Sequence, residues 1–187
     1  MRKIRGFKLN LRPKEIQRKA KKSKVDLGAL KMDTEASLTA LIGEFSKSAK
    51  ASVLYESFPA EEQNFLAPVP GLAYSLCLAT LGQEIDSYIE LARQQTPERD
   101  PLLTIMAQTA IEDATRFVLG LVEDEAKAEH CELSPIQVLT ENSALTAIVS
   151  RLEGHKINVA VADAGLRPTH TTAFSLSWMT RSKSRSR

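Results

Sequence analysis

His130-Cys131-Glu132 sets side by side three residue types that bind metal ions or serve as nucleophile and base. Three adjacent residues cannot all converge on one ion in a regular helix or strand, and His155 and His170 lie far off in the sequence. Cys77 and Cys131 are the only cysteines, too few for a four-ligand zinc or iron–sulfur site. The expectation is two reduced thiols, with the histidines at a helix end and in loops. The acidic pairs Glu84/Asp86 and Glu112/Asp113 fall on predicted helices and read as solvated carboxylates. There is no phosphate-cradling glycine loop, no hydrolase elbow and no paired zinc motif. Taken alone, the residues identify no enzyme.

The elements that would position these side chains are legible in outline. Met1 to Leu11 alternates apolar and basic residues, predicting a short edge strand or an arm, and Pro13 suits the first position of a basic helix. Asp33 is the expected N-cap of a helix carrying Leu38, Leu41, Ile42 and Phe45 on one stripe. Ala51–Phe58 and the apolar run Gly71–Leu81 read as strands, and Gln83–Gln95 as an amphipathic helix. Asp100 and Pro101 open the longest apolar stripe, from Leu103 to Val122, which predicts the central helix. A helix over 140–153 with Gly154 as its C′ residue should follow. A final hairpin should then pair Ile157, Val159 and Val161 with Phe174, Leu176 and Trp178 around Asp163-Ala164-Gly165. The fold class expected is α+β: an antiparallel sheet flanked by helices, with one long central helix. The chain divides into a basic arm with helices and a strand over 1–70, a core over 71–180 and a basic disordered tail over 181–187.

Charge is distributed unevenly. Residues 1–24 hold eleven Lys or Arg against the single acid Glu15, and Arg181 to Arg187 adds four more cations. The whole chain is only +2, so its middle is strongly acidic. Basic ends invite a nucleic-acid reading. No aromatic residues interleave with these cations as base stacking requires, so a solvated helix and tail are expected, and nucleic acid is the last of the readings. No apolar run reaches the ~18 residues of a membrane span, and the first residues lack the apolar core of a secretion signal. A cytoplasmic protein with no membrane partner is expected.

Three stretches in order resemble the activation domain of cobalamin-dependent methionine synthase: Ala79-Thr80-Leu81-Gly82 with Gln83-Glu84-Ile85-Asp86, the long helix after Asp100-Pro101, and the section from Leu133-Ser134-Pro135 through Ile157-Asn158-Val159 to Gly165-Leu166-Arg167-Pro168. The resemblance covers roughly 71–178. It implies a domain that binds S-adenosylmethionine and presents its methyl group to cobalt. The corrinoid itself would be carried by a partner, a corrinoid protein or corrinoid methyltransferase. The family's nucleotide-binding signature is Arg, two residues, then Pro-Gly-Tyr. Aligned on Ser134-Pro135, this chain has Glu132, Ile136 and Gln137 at the Arg, Gly and Tyr positions. Exchanging a carboxylate-binding cation for an acid costs about tenfold or more in affinity. The residues implied for a cofactor site are Ser134, Pro135, Gln137 and Thr171, with Arg167 as the replacement cation. The function implied is an accessory domain assisting reductive reactivation of a corrinoid protein. The alternative is an interaction module that kept the fold and lost the ligand.

Overall fold

The computed structural model describes residues 1–60, 66–163 and 165–180. The expected tail over 181–187 and Ala164 of the expected turn lie outside the described residues. Strand β1 (Arg2–Arg5) leads to helices α1 (Pro13–Lys22) and α2 (Glu35–Ser48), then to β2 (Ser52–Pro59) and β3 (Ala73–Thr80). Helix α3 (Gln83–Gln95) and the 29-residue α4 (Asp100–Ala128) follow. The chain ends in β4 (Cys131–Leu133), β5 (Gln137–Val138), α5 (Asn142–Arg151), β6 (Ala160–Ala162), β7 (Gly165–Arg167) and β8 (Thr171–Thr180). The main sheet is antiparallel in the order β1-β2-β3-β8-β4, with β5 also paired to β8. This is the expected α+β architecture with a long helix at its centre. Residue 70 falls between β2 and β3, two strands that pair from Ser52↔Thr80 to Pro59↔Ala73.

The unbroken apolar character of β3 has a direct cause: both faces of the strand are covered. Tyr74, Leu76 and Leu78 pack with Leu145, Ile148 and Leu152 of α5 and its C-terminus. Cys77 and Ala79 face the other way, onto Ala114, Val118 and Val122 of α4. Phe174, Leu176 and Trp178 of β8 join that second face. At about 1.5–3 kcal/mol for each large apolar side chain removed from water, these two layers dominate the stability of the sheet. Helix α4 is about 43 Å long. Its first half, including Leu103, Met106 and Ala110, packs with α1, α2 and α3, while its second half lies on the sheet. Alanine and valine along that second half let the helix approach the strands closely.

The ends of the elements depart from expectation in instructive ways. Thr34, not Asp33, caps α2, its Oγ1 accepting the Ser37 N–H at 3.1 Å. Asp100 is helical, because a 3₁₀ turn over Pro97–Arg99 already leads into α4, and its carboxylate pairs with Arg93 at 2.9 Å. The left-handed residue after α5 is Glu153 at φ +49°. Gly154 is required for space, since a Cβ there would lie 2.8 Å from the Val159 carbonyl oxygen and 2.9 Å from Val149 Cγ1.

The expected terminal hairpin is replaced by a different pairing. Ile157 closes a 3₁₀ turn over Gly154–Ile157, and Asn158 is left-handed at φ +57°. Residues 157–159 therefore supply no strand, and the hairpin there is the short β6–β7 pair. Phe174, Leu176 and Trp178 belong instead to β8, which pairs with β3 from Ala73↔Trp178 to Thr80↔Thr171. The basic helix α1 is also less peripheral than its thin apolar side suggests: Ile16 and Ala20 are fully buried, and Lys19 reaches Glu112 at 2.6 Å. No helix among the described residues is long and apolar enough to cross a membrane.

Candidate functional site

The point where β3 gives way to α3 is a backbone junction only glycine can make. Gly82 adopts φ +86° and ψ +166°, a region essentially closed to side-chain-bearing residues. The turn is pinned by the Leu81 N–H to the His170 carbonyl at 3.0 Å and by the Lys50 N–H to the Leu81 carbonyl at 2.7 Å. Thr80 Oγ1 accepts both the Gly82 N–H at 3.2 Å and the Thr171 hydroxyl at 2.8 Å. Thr171, a predicted site residue, thus faces the strand-to-helix junction.

The first turn of α3 brings Asp86 to the loop that precedes β8. Its Oδ2 accepts the Thr169 N–H at 2.6 Å, and its Oδ1 lies 2.7 Å from His170 Nδ1. The loop includes a cis Arg167–Pro168 peptide, and Arg167 donates from Nη1 to Thr169 Oγ1 at 2.8 Å. A cleft of about 660 Å³ opens beside these groups, lined by Gln83, Asp86, Arg93, Asn158, Arg167 and His170 among others. Asp86, expected to be solvated, is the staple of this corner. Sequence reasoning missed its partner because 84 positions separate Asp86 from His170. The β3–β8 register, which sets Thr80 against Thr171, was the signal that joins them.

The Ser134–Pro135 turn sits at the far end of β8. Ser134 accepts the Ser177 N–H through Oγ at 2.9 Å and donates that hydroxyl to the Pro135 carbonyl at 2.9 Å. Its own N–H goes to the Ser177 carbonyl. The Ser134 side chain is therefore committed to holding β4 and β5 on β8. A groove of about 480 Å³ runs past Lys127, Cys131, Glu132, Ser134, Pro135 and Ile136. Gln137 is exposed and pairs with Ser175. Six residues along β8 separate Ser177 from Thr171, about 20 Å at ~3.3 Å per residue. The structure thus brings Arg167 and Thr171 together, since both line another cavity of about 430 Å³, and sets Ser134 and Pro135 apart from them.

The remaining candidates resolve into structural roles. His130 is left-handed at φ +56°, just past the Glu129 C-cap of α4, and Cys131 begins β4 with its Sγ directed to the Glu129 carbonyl. Strand alternation sends Cys131 and Glu132 to opposite faces, and no group of three or more His, Cys, Asp or Glu that could hold a metal ion occurs among the described residues. Asp113 accepts the Asn10 N–H at 2.7 Å and Glu112 binds Lys19, so both fasten the N-terminal segment to α4. Trp178 is buried and donates Nε1–H to Ser75 Oγ at 2.7 Å. No protein-family model matches this sequence, and no curated protein matches it.

Proposed function

We propose that this chain is an accessory domain of corrinoid-dependent methyl transfer that docks on a corrinoid protein and assists its reductive reactivation. The reading rests on the resemblance of the three ordered stretches. The observation that supports it is the Asp86 staple, which joins two of them, the Ala79–Asp86 junction and the Gly165–Thr171 section, into one corner of the fold. A corrinoid protein carrying cob(II)alamin tests it. With an electron donor and S-adenosylmethionine supplied, the expected result is a titratable complex and a faster return of the cobalt to its methylated state. A corrinoid protein that neither binds the chain nor recovers faster in its presence overturns the reading.

One observation favours the second reading, an interaction module without the ligand. Ser134 and Pro135 stand about 20 Å along β8 from Thr171, and the Ser134 hydroxyl already donates its proton to Pro135 and accepts the Ser177 N–H within the fold. Glu132 lines the Ser134 groove and Arg167 does not, and the cation that does, Lys127, is paired with Glu123 at 3.0 Å. Calorimetric titration with S-adenosylmethionine separates the two readings. Micromolar binding defeats the module, whereas no heat and an unchanged melting temperature leave docking without a methyl donor.

A further inference from the structure

We propose that the cleft beside Asp86 and His170 is a binding site for a small phosphate monoester, its phosphoryl group held between the Arg167 guanidinium and the His170 imidazole. The proposal stands independently of the corrinoid reading. It follows from an account of which charged groups in the cleft are already engaged.

The acids of the cleft are committed. Asp86 uses one oxygen for the Thr169 N–H and the other for His170. Glu90 accepts from Arg93 Nη1 at 3.1 Å and from Gln94 Nε2 at 3.2 Å. Arg93 is in turn held by Asp100 at 2.9 Å. The donors, in contrast, are not all engaged. Arg167 forms no ion pair among the described residues, and its hydrogen bond goes to a neutral threonine hydroxyl. A guanidinium offers five N–H groups in a planar fork suited to two oxygens of a phosphoryl group.

His170 is held for the same task. With Nδ1 directed at Asp86 the ring is fixed in orientation, and Nε2 lies on the opposite side of the imidazole. An anion would meet the ring at its Nε2 edge, with Nδ1 kept on Asp86. Gln83 and Asn158, which line the same cleft, add amide donors. These two residues and Ser87 also line an adjoining groove of about 850 Å³ that includes Arg5, Lys8 and Lys50. The space beyond the phosphoryl position therefore suits an organic remainder, and a cleft of about 660 Å³ falls within the range of small-molecule sites.

The test uses the full chain, with inorganic phosphate and ribose 5-phosphate as probes and imidazole NMR signals as the readout. His130 and His155 serve as internal references, and His170→Gln assigns the third ring. The expected result is saturable perturbation of the His170 signals alone, with the ester binding more tightly than phosphate. Arg167 is exposed, so Arg167→Gln should fold normally and should weaken ester binding by about tenfold or more. Lys22→Ala, on the outer face of α1, should leave affinity unchanged. No saturation, an equal loss in both variants, or equal affinity for phosphate and ester would each overturn the proposal.

Discussion

Asp86 Oδ1 lies 2.7 Å from His170 Nδ1, and this contact ties the first turn of α3 to the loop that launches β8. Because the same carboxylate also takes the Thr169 N–H, one side chain fixes both the imidazole and the backbone beside it.

Asp86→Ala should therefore release the loop without unfolding the sheet. Both side chains are partly exposed, about 23% for Asp86 and 22% for His170, so the loss should be about 1–2 kcal/mol. Amide hydrogen exchange gives the sharper readout. Protection should fall at Thr169 and at Leu81, whose N–H is held by the His170 carbonyl, and should persist at Leu76 in the middle of β3. Unchanged exchange at Thr169 would show that the loop is held by something other than Asp86.

How much of this was legible in the sequence depends on the range over which each signal acts. Tyr74 to Ala79 reads as a buried strand because it is covered on both faces, and the α4 stripe reads as a helix because its period persists over many turns. The terminal pairing was misread because Ile157, Val159 and Val161 alternate like a strand. There, a 3₁₀ turn and the left-handed Asn158 produce the same spacing without a ladder. Asp86 and His170 each look like ordinary surface residues in their own segment. Only the long-range register of β3 on β8 brings them together, and no local pattern encodes that register. The register of β4 on β8 likewise sets Ser134 and Thr171 far apart, a separation invisible in a motif read along the chain.

Gly82→Ala tests the junction itself. The backbone at φ +86° and ψ +166° is strained for any residue with a Cβ, and the added atom would meet Lys50 Cβ at 3.0 Å. A loss of about 2 kcal/mol is expected in denaturant titration. A loss below ~0.5 kcal/mol would mean that the junction relaxes into an ordinary turn.

The two cysteines should differ sharply in reactivity. Cys77 is fully buried on the α4 face of β3, and burial, with a smaller contribution from the Glu125 charge, pushes its thiol well above the ordinary range. Cys131 is partly exposed. A water-soluble thiol reagent should modify Cys131 in the native protein and reach Cys77 only after denaturation, read by mass spectrometry of peptides. Prompt native modification of Cys77 would contradict the packing of α4 on β3.

The last prediction concerns Tyr55, whose hydroxyl donates to Glu125 Oε1 at 2.9 Å while Arg2 contacts the same carboxylate oxygen at 2.6 Å. Burial raises the Tyr55 phenol above its ordinary value of 10.0, the Glu125 hydrogen bond and charge raise it further, and Arg2 opposes them. A folded-state value above the unfolded one means that the native state keeps its proton where the unfolded state has lost it. The contribution of Tyr55 to stability is then complete below the ordinary phenol range and declines as pH rises through and above it. Glu125→Gln removes the carboxylate charge, leaves a neutral amide oxygen as a weaker acceptor for the phenol, and does not change the burial. Tyr55 should then titrate at lower pH than in wild type, and the alkaline loss of stability should become shallower. Ultraviolet phenolate titration, with Tyr55→Phe identifying the signal, measures the shift. A Tyr55 titration that does not move in Glu125→Gln would leave burial as the sole cause and remove Glu125 from the network.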